Sequence, residues 1–365
     1  MSIEPYGPPG SGKYLVRLYI PGGRRYKKVI YGKRNAQQHE AEMRLRLATG
    51  YQHNPNRTTL TTYAHTYITQ RNLRPNTLSL YTRLINNHIA PHIGDTPLRQ
   101  LTHTHIDTFQ RHLFTHYGNT TAHRTMTLLR SILNNAVHDH LITHSPATNV
   151  TTPTQHRPTI TLPTWQDLHD ATSNTTTPQR TLLLLAALAG LRAGEIAGLA
   201  TTDHHHDHIT INRQIQYLSP ANDPNGVGGA FYAPPKTSES QRTIPIPPTL
   251  TSQLEHHRRY MLGCRPITLP EGHTQGPPAT HRVYLNGSHA NSVSQRGRKT
   301  LGHPIHHLRH LYTTTLANAG IPTHLIDAVT GHAAVGSTSR VIYTHITPEA
   351  LATIPPVIEA AWQRT

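Results

Sequence analysis

Short stretches of alternating apolar and polar residues open the chain, and apolar residues recur at helical spacing over most of the remainder. Tyr14–Ile20 alternates, Pro21-Gly22-Gly23 follows as a turn sequence, and Arg24–Tyr31 continues with strand character, which predicts a β-hairpin. Residues 1–12 are rich in glycine and proline and predict a flexible lead-in. The chain is therefore expected to begin with a small sheet.

A helix is predicted directly after the hairpin, over Ala36–Thr49. Asn35 and Gln38 have the spacing of a capping box, and Gly50 follows as a helix-ending glycine. Residues 1–56 thus predict a basic β-β(-β)-α module. A solvated basic face is one interpretation, and a sheet laid on a DNA groove is the one we favour. The basic residues concerned are Arg17, Arg24, Arg25, Lys27, Lys28, Lys33 and Arg34.

Residues 57–150 predict an all-helical domain. Leu78, Leu84, Ile85 and Ile89 recur at helical spacing and are most simply core residues. A stretch rich in threonine and proline, residues 151–163, predicts an interdomain linker. The expected helices are Leu60–Gln70, Asn76–Ile89, Thr102–Phe114 and Thr120–His140.

Residues 164–365 predict an α+β domain that is mainly helical. The apolar stretch Thr181–Leu191 has the length of a buried core helix, and a further helix opens at Gly190–Glu195. Glycine and proline in Arg265–Pro278 predict a loop. The remaining expected elements are a helix beginning at Trp165, strands Ile209–Ile211 and Arg242–Ile246, and helices Leu250–Leu262, Pro348–Thr353 and Val357–Trp362.

Composition adds a class of partner. The formal net charge is +16 with histidine neutral, and the pI is about 10.2, so the partner is expected to be polyanionic, either nucleic acid or an acidic membrane surface. No apolar run is long enough to span a bilayer, and the N-terminus lacks the apolar core of a signal peptide. A single cysteine, Cys264, excludes an intrachain disulfide framework and fits a reducing cytoplasm. We therefore expect a cytoplasmic protein that does not act at a membrane.

Candidate chemistry is concentrated between His303 and His345. His306 and Arg309 lie three residues apart and so share one helix face, and His332 and Tyr343 follow. Two imidazoles, a guanidinium and a phenol make a plausible set for chemistry on a phosphate. Because the chain contains 31 histidines and 16 tyrosines, no single one of these residues is informative alone.

With two further blocks, the chain resembles the tyrosine recombinases of the phage integrase family. Four blocks occur in the family's order: the first arginine box at Leu191–Glu195, the β-hairpin lysine block at Pro235–Pro245, the second box at His306–His310, and Gly331-His332 followed by Tyr343. The helical segment resembles the family's core-binding domain, notably in Gly94–Leu98, and the basic N-terminal module resembles its arm-binding domain. The resemblance implies three domains: an arm-binding-like domain at 1–56, a helical core-binding domain at 57–150 and, after the linker 151–163, a catalytic domain with a C-terminal tail at 164–365.

The resemblance implies a covalent mechanism for DNA strand exchange. Tyr343 would be the nucleophile and would form a 3′-phosphotyrosyl link, which stores the bond energy so that no ATP is required. Arg192 and Arg309 would bind the non-bridging phosphate oxygens through their planar, charged forks. Lys236 would be the general acid for the leaving 5′-oxygen. His306 and His332 would donate hydrogen bonds to the phosphate or help with the proton of the tyrosine.

Neither a cofactor nor a metal is expected. The implied partners are double-stranded DNA attachment sites and, on the DNA, a homotetramer that works through a Holliday junction, with room for a directionality factor. Integration and excision of a phage or mobile element is the favoured role, because the N-terminal module suits binding to flanking arm sites. A chromosomal or plasmid resolvase of the same chemistry and a catalytically silent DNA-binding regulator remain alternatives, and a metal-dependent nuclease is a more distant one.

Three features leave open choices. The run His204–His208 looks like a metal site, yet consecutive residues rarely converge on one ion, so we favour a solvated loop over adventitious metal binding. Tyr312 is the nearest rival nucleophile and is expected to be a packing residue instead. The apolar face of the C-terminal tail fits docking either on its own domain or on a neighbouring protomer.

Overall fold

A computed structural model describes the chain except for residues 1, 9, 21–23, 49–57, 155–159, 224–225, 227, 236–239, 273–277, 286–287, 332–345 and 365. The described residues group into two compact units. Unit 1 comprises Met1–Tyr67 and Ile85–Pro153, and unit 2 comprises Ile68–Leu84 and Thr154–Thr365.

Unit 1 begins with a three-stranded antiparallel sheet in the order β1-β2-β3, formed by Ser2–Pro5, Lys13–Ile20 and Arg24–Tyr31. Helix α1, Lys33–Ala48, covers one face, and its Ala36 packs with the buried Val16 of β2. The prediction of a flexible lead-in is wrong for residues 2–5, because they pair with β2 and Ile3 packs against this small core. The predicted turn at 21–23 lies outside the described residues.

The rest of unit 1 is helical. It contains most of α2 (Leu60–Thr69), a π-helix at Ile85–Gly94, α4 (His103–His116) and α5 (Asn119–His138). Thr102 caps α4 through the backbone N–H of His105. These helices bury a common apolar core, in which the fully buried side chains include Leu60, Ile85, Ile89, Leu98, Ile106, Leu113 and Met126.

One predicted helix is shorter than expected. The apolar spacing predicted a single helix over Asn76–Ile89, whereas α3 covers Pro75–Leu84 and the chain then widens into the π-helix. Pro91 lies inside that π-helix and has no backbone N–H for the hydrogen bond an α-helix would require. The hydrophobic pattern reports the buried face of both helices and not the change between them.

Unit 2 is built around α7, Thr177–Leu188, which is buried along its whole length from Thr181 onward. The predicted buried helix is thereby confirmed. The helices around it are α3 together with α6 (Trp165–Ser173), α8 (Ala193–Gly198), α9 (Pro248–Tyr260), α10 (Ala290–Leu301), α11 (His306–Asn318), α12 (Thr323–Thr330), α13 (Pro348–Leu351) and α14 (Ile354–Gln363).

Three small antiparallel sheets complete the description of unit 2. One has the order β4-β5-β8, from His204–His205, His208–Ile211 and Arg242–Pro245. The second pairs β6, Gln214–Leu218, with β7, Gly229–Ala233, and this hairpin leads toward Lys236. The third pairs β9, Ile267–Pro270, with β10, Pro278–His281.

The β9–β10 pair corrects the prediction of a loop at Arg265–Pro278. Ile267 and Leu269 alternate with exposed residues and pack against the core of unit 2, as does Ala279 on the opposite strand. The hydroxyl of Tyr232 in β7 donates to the Ile267 carbonyl at 3.2 Å. Three inward-facing apolar residues were too few for the glycine- and proline-rich sequence to predict a strand pair.

The C-terminal tail docks on its own unit. Ile354, Ile358 and Trp362 of α14 enter the core, and the carboxylate of Glu359 accepts hydrogen bonds from the backbone N–H and the hydroxyl of Thr249 at the start of α9. The tail helix begins at Ile354 and not at Val357, because Pro355 and Pro356 occupy its first turn, where a proline needs no backbone N–H. In this single chain the tail therefore packs in cis, which is one of the two arrangements left open by the sequence.

Two classes of feature are absent from the described part of the chain. It contains no helix that is both long enough and apolar enough to cross a membrane. It also contains no group of three or more histidine, cysteine, aspartate or glutamate side chains placed to hold a metal ion.

Candidate active site

Arg192 lies at the N-terminus of α8, where its carboxylate partner is built into the same helix turn. Glu195 Oε2 accepts from the Arg192 backbone N–H at 3.0 Å, and Glu195 Oε1 accepts from Arg192 Nη1 at 2.9 Å. Arg192 Nη2 donates to the carbonyl of Gly331 at 2.9 Å. The Arg192 side chain remains about one-third exposed, at 34%, so it can still be reached by a ligand.

Arg309 approaches the same region from α11. Its Nη1 donates to the Gly190 carbonyl at 2.6 Å, and its Nη2 donates to the Thr330 carbonyl. The residue is buried, and burial, followed by repulsion from Arg192, lowers the pKa of its guanidinium. Because an arginine begins from so high a pKa, Arg309 still carries its charge at neutral pH.

Two glycines permit this arrangement. Gly190 has φ +64°, and a Cβ at this position would lie 2.6 Å from Cδ1 of the buried Tyr312. Gly331 ends α12 with φ +61°, and a Cβ there would meet the Cα of Ser240 at 3.0 Å. A side chain at either position would displace a carbonyl that receives an arginine.

The last turn of α12 therefore accepts hydrogen bonds from several guanidinium groups. The carbonyls of three consecutive residues, Val329, Thr330 and Gly331, accept from Arg242, Arg309 and Arg192 respectively. Carbonyls at a helix C-terminus have no partners within the helix and carry partial negative charge, so they suit cations. The arrangement brings Arg192 and Arg309 to the residue that immediately precedes His332.

A buried carboxylate stabilises these charges. Glu195 is bound by Arg192 and, through two further hydrogen bonds of 3.1 and 3.0 Å, by Arg242. Burial alone would raise the pKa of Glu195, but the hydrogen bonds and charge of Arg242, together with Arg192, hold it below its ordinary value. With Arg309 included, three cations surround one anion, and the cluster keeps a net positive charge that suits a phosphate.

His306 lies one turn before Arg309 on α11. The residue is exposed, and its ring makes an edge contact with the ring of His310 at a centroid distance of 4.6 Å. Partial burial of the ring, followed by repulsion from His310 and Arg309, lowers the pKa of His306 to about 4. At neutral pH the ring is therefore uncharged and can donate one hydrogen bond and accept another.

Three of the predicted site residues, Lys236, His332 and Tyr343, lie outside the described residues. The described ends of the chain next to two of them meet: the hydroxyl of Ser240 donates to the Gly331 carbonyl at 3.4 Å. The β-hairpin lysine block and the third box are thus joined at their described edges.

The rival interpretations have clear outcomes. Tyr312 is fully buried, and its hydroxyl has no hydrogen-bond partner among the described residues, so it is a packing residue as predicted. The solvated loop predicted at 204–208 is wrong for His204, which is buried and contacts the hydroxyl of Tyr284 through Nδ1 at 3.2 Å. Its neighbours His205 and His206 are exposed.

Arg242 lies in the lysine block but was not predicted to have a role in the site. The available signal was its position in Ser240-Gln241-Arg242, shortly after Lys236. Its contact with Glu195 spans 47 residues of sequence and could not be inferred from spacing.

Comparisons with known proteins show what the chain as a whole is similar to. Residues 59–114 match the model of the phage integrase N-terminal SAM-like domain. The chain is 27% identical over 299 residues to the prophage phiRv2 integrase of Mycobacterium tuberculosis, covering 78% of this chain and 73% of that protein. It is 30% identical over 193 residues to a XerC-like tyrosine recombinase of Caldanaerobacter subterraneus, covering 47% and 46% of the two chains.

Solved structures share the fold. The integrase of the transposon Tn1549, in complex with transposon right-end DNA, superposes with a TM-score of 0.62 at 18% identity, over 81% of this chain and 98% of that one. The lambda integrase tetramer bound to a Holliday junction superposes with a TM-score of 0.54 at 18% identity, over 93% and 98%. The fold is thus that of a multidomain recombinase with a helical majority and small sheets. The matched domain model, the curated relatives and the shared fold together support the tyrosine recombinase, or phage integrase, family for this chain.

Proposed function

We propose that this protein is a site-specific DNA recombinase that cuts and rejoins DNA through a covalent link to Tyr343. The observation that carries the proposal is the convergence of Arg192 and Arg309 on the end of α12, at the carbonyls of Thr330 and Gly331. Two guanidinium groups held by rigid helices match the two non-bridging oxygens of a phosphodiester.

The proposed reaction has two balanced steps. The phenol oxygen of Tyr343 attacks the scissile phosphorus and passes its proton to His306 or His332, while the bond from phosphorus to the 5′-oxygen breaks. The leaving 5′-oxygen takes a proton from Lys236, which gives a 3′-phosphotyrosyl ester and a free 5′-hydroxyl. The 5′-hydroxyl of the partner strand then attacks the ester and gives its proton to Lys236, while the bond from phosphorus to the tyrosine oxygen breaks and Tyr343 takes its proton back from the histidine.

The fixed charges lower the barrier to both steps. Negative charge grows on the non-bridging oxygens as the phosphorus becomes five-coordinate, and Arg192 and Arg309 are already oriented to receive it. His306 is uncharged at neutral pH and would donate a hydrogen bond to a phosphate oxygen or accept the proton of Tyr343. His332 would take the other of these two roles.

At the level of the whole protein, we propose that the helical domain at 57–150 and the catalytic domain at 164–365 close around a duplex, and that the module at 1–56 binds flanking arm sites. Four protomers would exchange one pair of strands at a time through a Holliday junction. The net charge of +16 and the relatives named as integrases support DNA attachment sites as the substrate. Integration and excision of a phage or mobile element is the role we favour, with a directionality factor as a further partner.

The alternatives predict different behaviour. A resolvase of the same chemistry would recombine two identical sites without arm sequences. A regulator without catalysis would bind DNA and form no covalent link, and a metal-dependent nuclease would need a divalent cation.

The decisive experiment uses nicked suicide substrates that carry the junction sequence flanking the element that encodes the protein. The substrates are incubated with the protein in EDTA, and a covalent protein–DNA adduct is sought on denaturing gels. We expect an adduct with the wild-type protein and none with Tyr343→Phe, while the variant keeps its DNA affinity. An adduct that survives Tyr343→Phe would refute the nucleophile, and a requirement for divalent metal would favour the nuclease.

A further inference from the structure

We propose that Arg242 is a positioning residue for Arg192 and Arg309, the two arginines that would bind the phosphate, and this inference rests on the proposed function. Arg242 holds together three parts of the chain that the active site needs. Its Nη1 and Nη2 donate to the two carboxylate oxygens of Glu195, its Nε donates to the Val329 carbonyl at 2.6 Å, and its Nη1 also donates to the Ser240 carbonyl at 2.9 Å. One guanidinium thereby links α8, the end of α12 and Ser240 of the lysine block.

The contacts of Arg242 separate it from a direct role. Four of its five N–H groups already donate to Glu195, Val329 and Ser240. Arg242 therefore keeps a single N–H donor and cannot offer a phosphate the two-donor fork that the proposed function requires. Arg242 acts on the substrate through Glu195 and α12.

The first effect is on charge. Glu195 alone would form a neutral pair with Arg192, since both of its oxygens face that residue through Nη1 and the backbone N–H. Because Arg242 shares the same carboxylate, the three residues together keep one positive charge, and Arg309 adds a second. A phosphodiester carries one negative charge and gains more as the phosphorus becomes five-coordinate, so the shared carboxylate leaves Arg192 able to respond.

The second effect is on position. Arg192 and Arg309 also bind α12 carbonyls, but these are the arginines that a phosphate would draw away. The Arg242–Val329 contact uses Nε, which the proposed function does not require for the phosphate, so it should persist when the site is occupied. It holds the end of α12, from which the chain continues to His332 and Tyr343.

The packing around Gly331 shows how closely these parts approach. A Cβ on Gly331 would lie 3.0 Å from the Cα of Ser240 and 3.1 Å from Nη1 of Arg242. Gly331, the first residue of the third box, therefore packs closely against Arg242, and displacement of that guanidinium would open the contact.

The test compares Arg242→Met with Arg259→Met, a matched control on an exposed arginine of α9. We measure DNA affinity by fluorescence anisotropy and the single-turnover rate of adduct formation on the suicide substrate. Arg242→Met should slow adduct formation about 100-fold, the loss that a misplacement of about 1 Å produces, and leave the Kd for DNA within about threefold. Arg259→Met should change neither quantity.

A rescue separates positioning from mere packing. In Arg242→Met, the carboxylate of Glu195 no longer pairs with residue 242 and its negative charge acts on Arg192 alone. Adding Glu195→Gln removes that charge and should make the guanidinium of Arg192 available to the phosphate. The double variant should form adduct about tenfold faster than Arg242→Met, as expected for one charge-assisted hydrogen bond returned to the phosphate. A purely structural role would predict that the second substitution slows the reaction further.

Two outcomes would overturn the inference: an adduct rate for Arg242→Met within threefold of wild type, or a double variant no faster than the single one. If Arg242→Met fails to fold, Arg242→Lys decides, because an ammonium keeps the charge but cannot bridge Glu195 and Val329. A lysine variant with the wild-type rate would refute the role.

Hydrogen exchange tests the structural role of Arg242 even if the proposed function is wrong. If the wild type forms no adduct on a verified site, the proposed function is wrong, but the exchange rates of the amides in 323–331 still test whether Arg242 stabilises the end of α12. These amides should exchange faster in Arg242→Met than in the wild type, and at the wild-type rate in Arg259→Met. Equal exchange rates in all three proteins would refute the proposal that Arg242 stabilises the end of α12.

Discussion

Docking of the C-terminal tail in cis makes a stability prediction that can be worked from the structure. Ile358 is fully buried on α14, which packs against α11 and α9. Ile358→Ala removes three carbon atoms from a closed core, which costs both their transfer free energy and the cavity that remains, about 2–5 kcal/mol in total. A loss in the middle of that range lowers the Tm of a unit of this size by roughly 7–14 °C.

The assay follows unfolding by intrinsic tryptophan fluorescence. The chain has two tryptophans, Trp165 and Trp362, and both belong to unit 2, so the signal reports on that unit alone. Arg364→Ala is the matched control, because it alters an exposed residue of the same tail. We expect a large drop in Tm for Ile358→Ala and a change of less than about 1 °C for the control.

Protein concentration provides the test of cis docking. A tail that docks on its own unit gives a Tm independent of concentration, whereas a tail supplied by a neighbour gives a Tm that rises with concentration through mass action. A concentration-dependent Tm for the wild-type protein, or an unchanged Tm for Ile358→Ala, would refute the docking described above.

Two further predictions concern unit 2. Gly190→Ala should lower the free energy of unfolding by about 1–3 kcal/mol, because the backbone has a positive φ and the added carbon meets Tyr312. It should also slow adduct formation, because the Gly190 carbonyl accepts a hydrogen bond from Arg309. A wild-type Tm together with a wild-type adduct rate would contradict this prediction. His257 is fully buried, and burial lowers its pKa to about 4, so the unfolded chain binds more protons than the folded one between pH 4 and 6.5 and stability falls as the pH falls through that window. The wild type should therefore lose about 2 kcal/mol more than His257→Leu between pH 7.5 and pH 5 in urea titrations, and equal losses would show that this histidine is not responsible.

The sequence predicted much of the fold because its strongest signals are local. Alternation gave the N-terminal hairpin, and the apolar stretch after Thr181 gave α7. The strand β1 and the β9–β10 pair escaped prediction because each is short and rich in glycine or proline, and its pairing partner, not its own sequence, makes it a strand.

The site divides in the same way. Arg192 and Arg309 were identified from blocks that resemble the family, since a motif holds its residues at fixed local spacing. The contacts that orient them were not predictable: Arg309 reaches Gly190 across 119 residues, and Arg242 reaches Val329 across 87. Neither periodicity nor composition carries information about which carbonyl a distant guanidinium will meet.

These contacts bear on how a phosphate would bind. Arg192 and Arg309 already satisfy part of their hydrogen-bonding capacity with the carbonyls of Gly331 and Thr330, so under the proposed function a phosphate would not meet two disordered side chains. It would compete for guanidinium groups whose orientation is fixed beforehand, and its full negative charge would outweigh the partial charge of a helix-end carbonyl. The conformational entropy of two long side chains has then been lost during folding and not during binding. Such a site would favour a correctly placed phosphate over a misplaced one. A phosphate displaced from the end of α12 would still break the carbonyl contacts of the two arginines, but it would not form hydrogen bonds with both guanidinium groups.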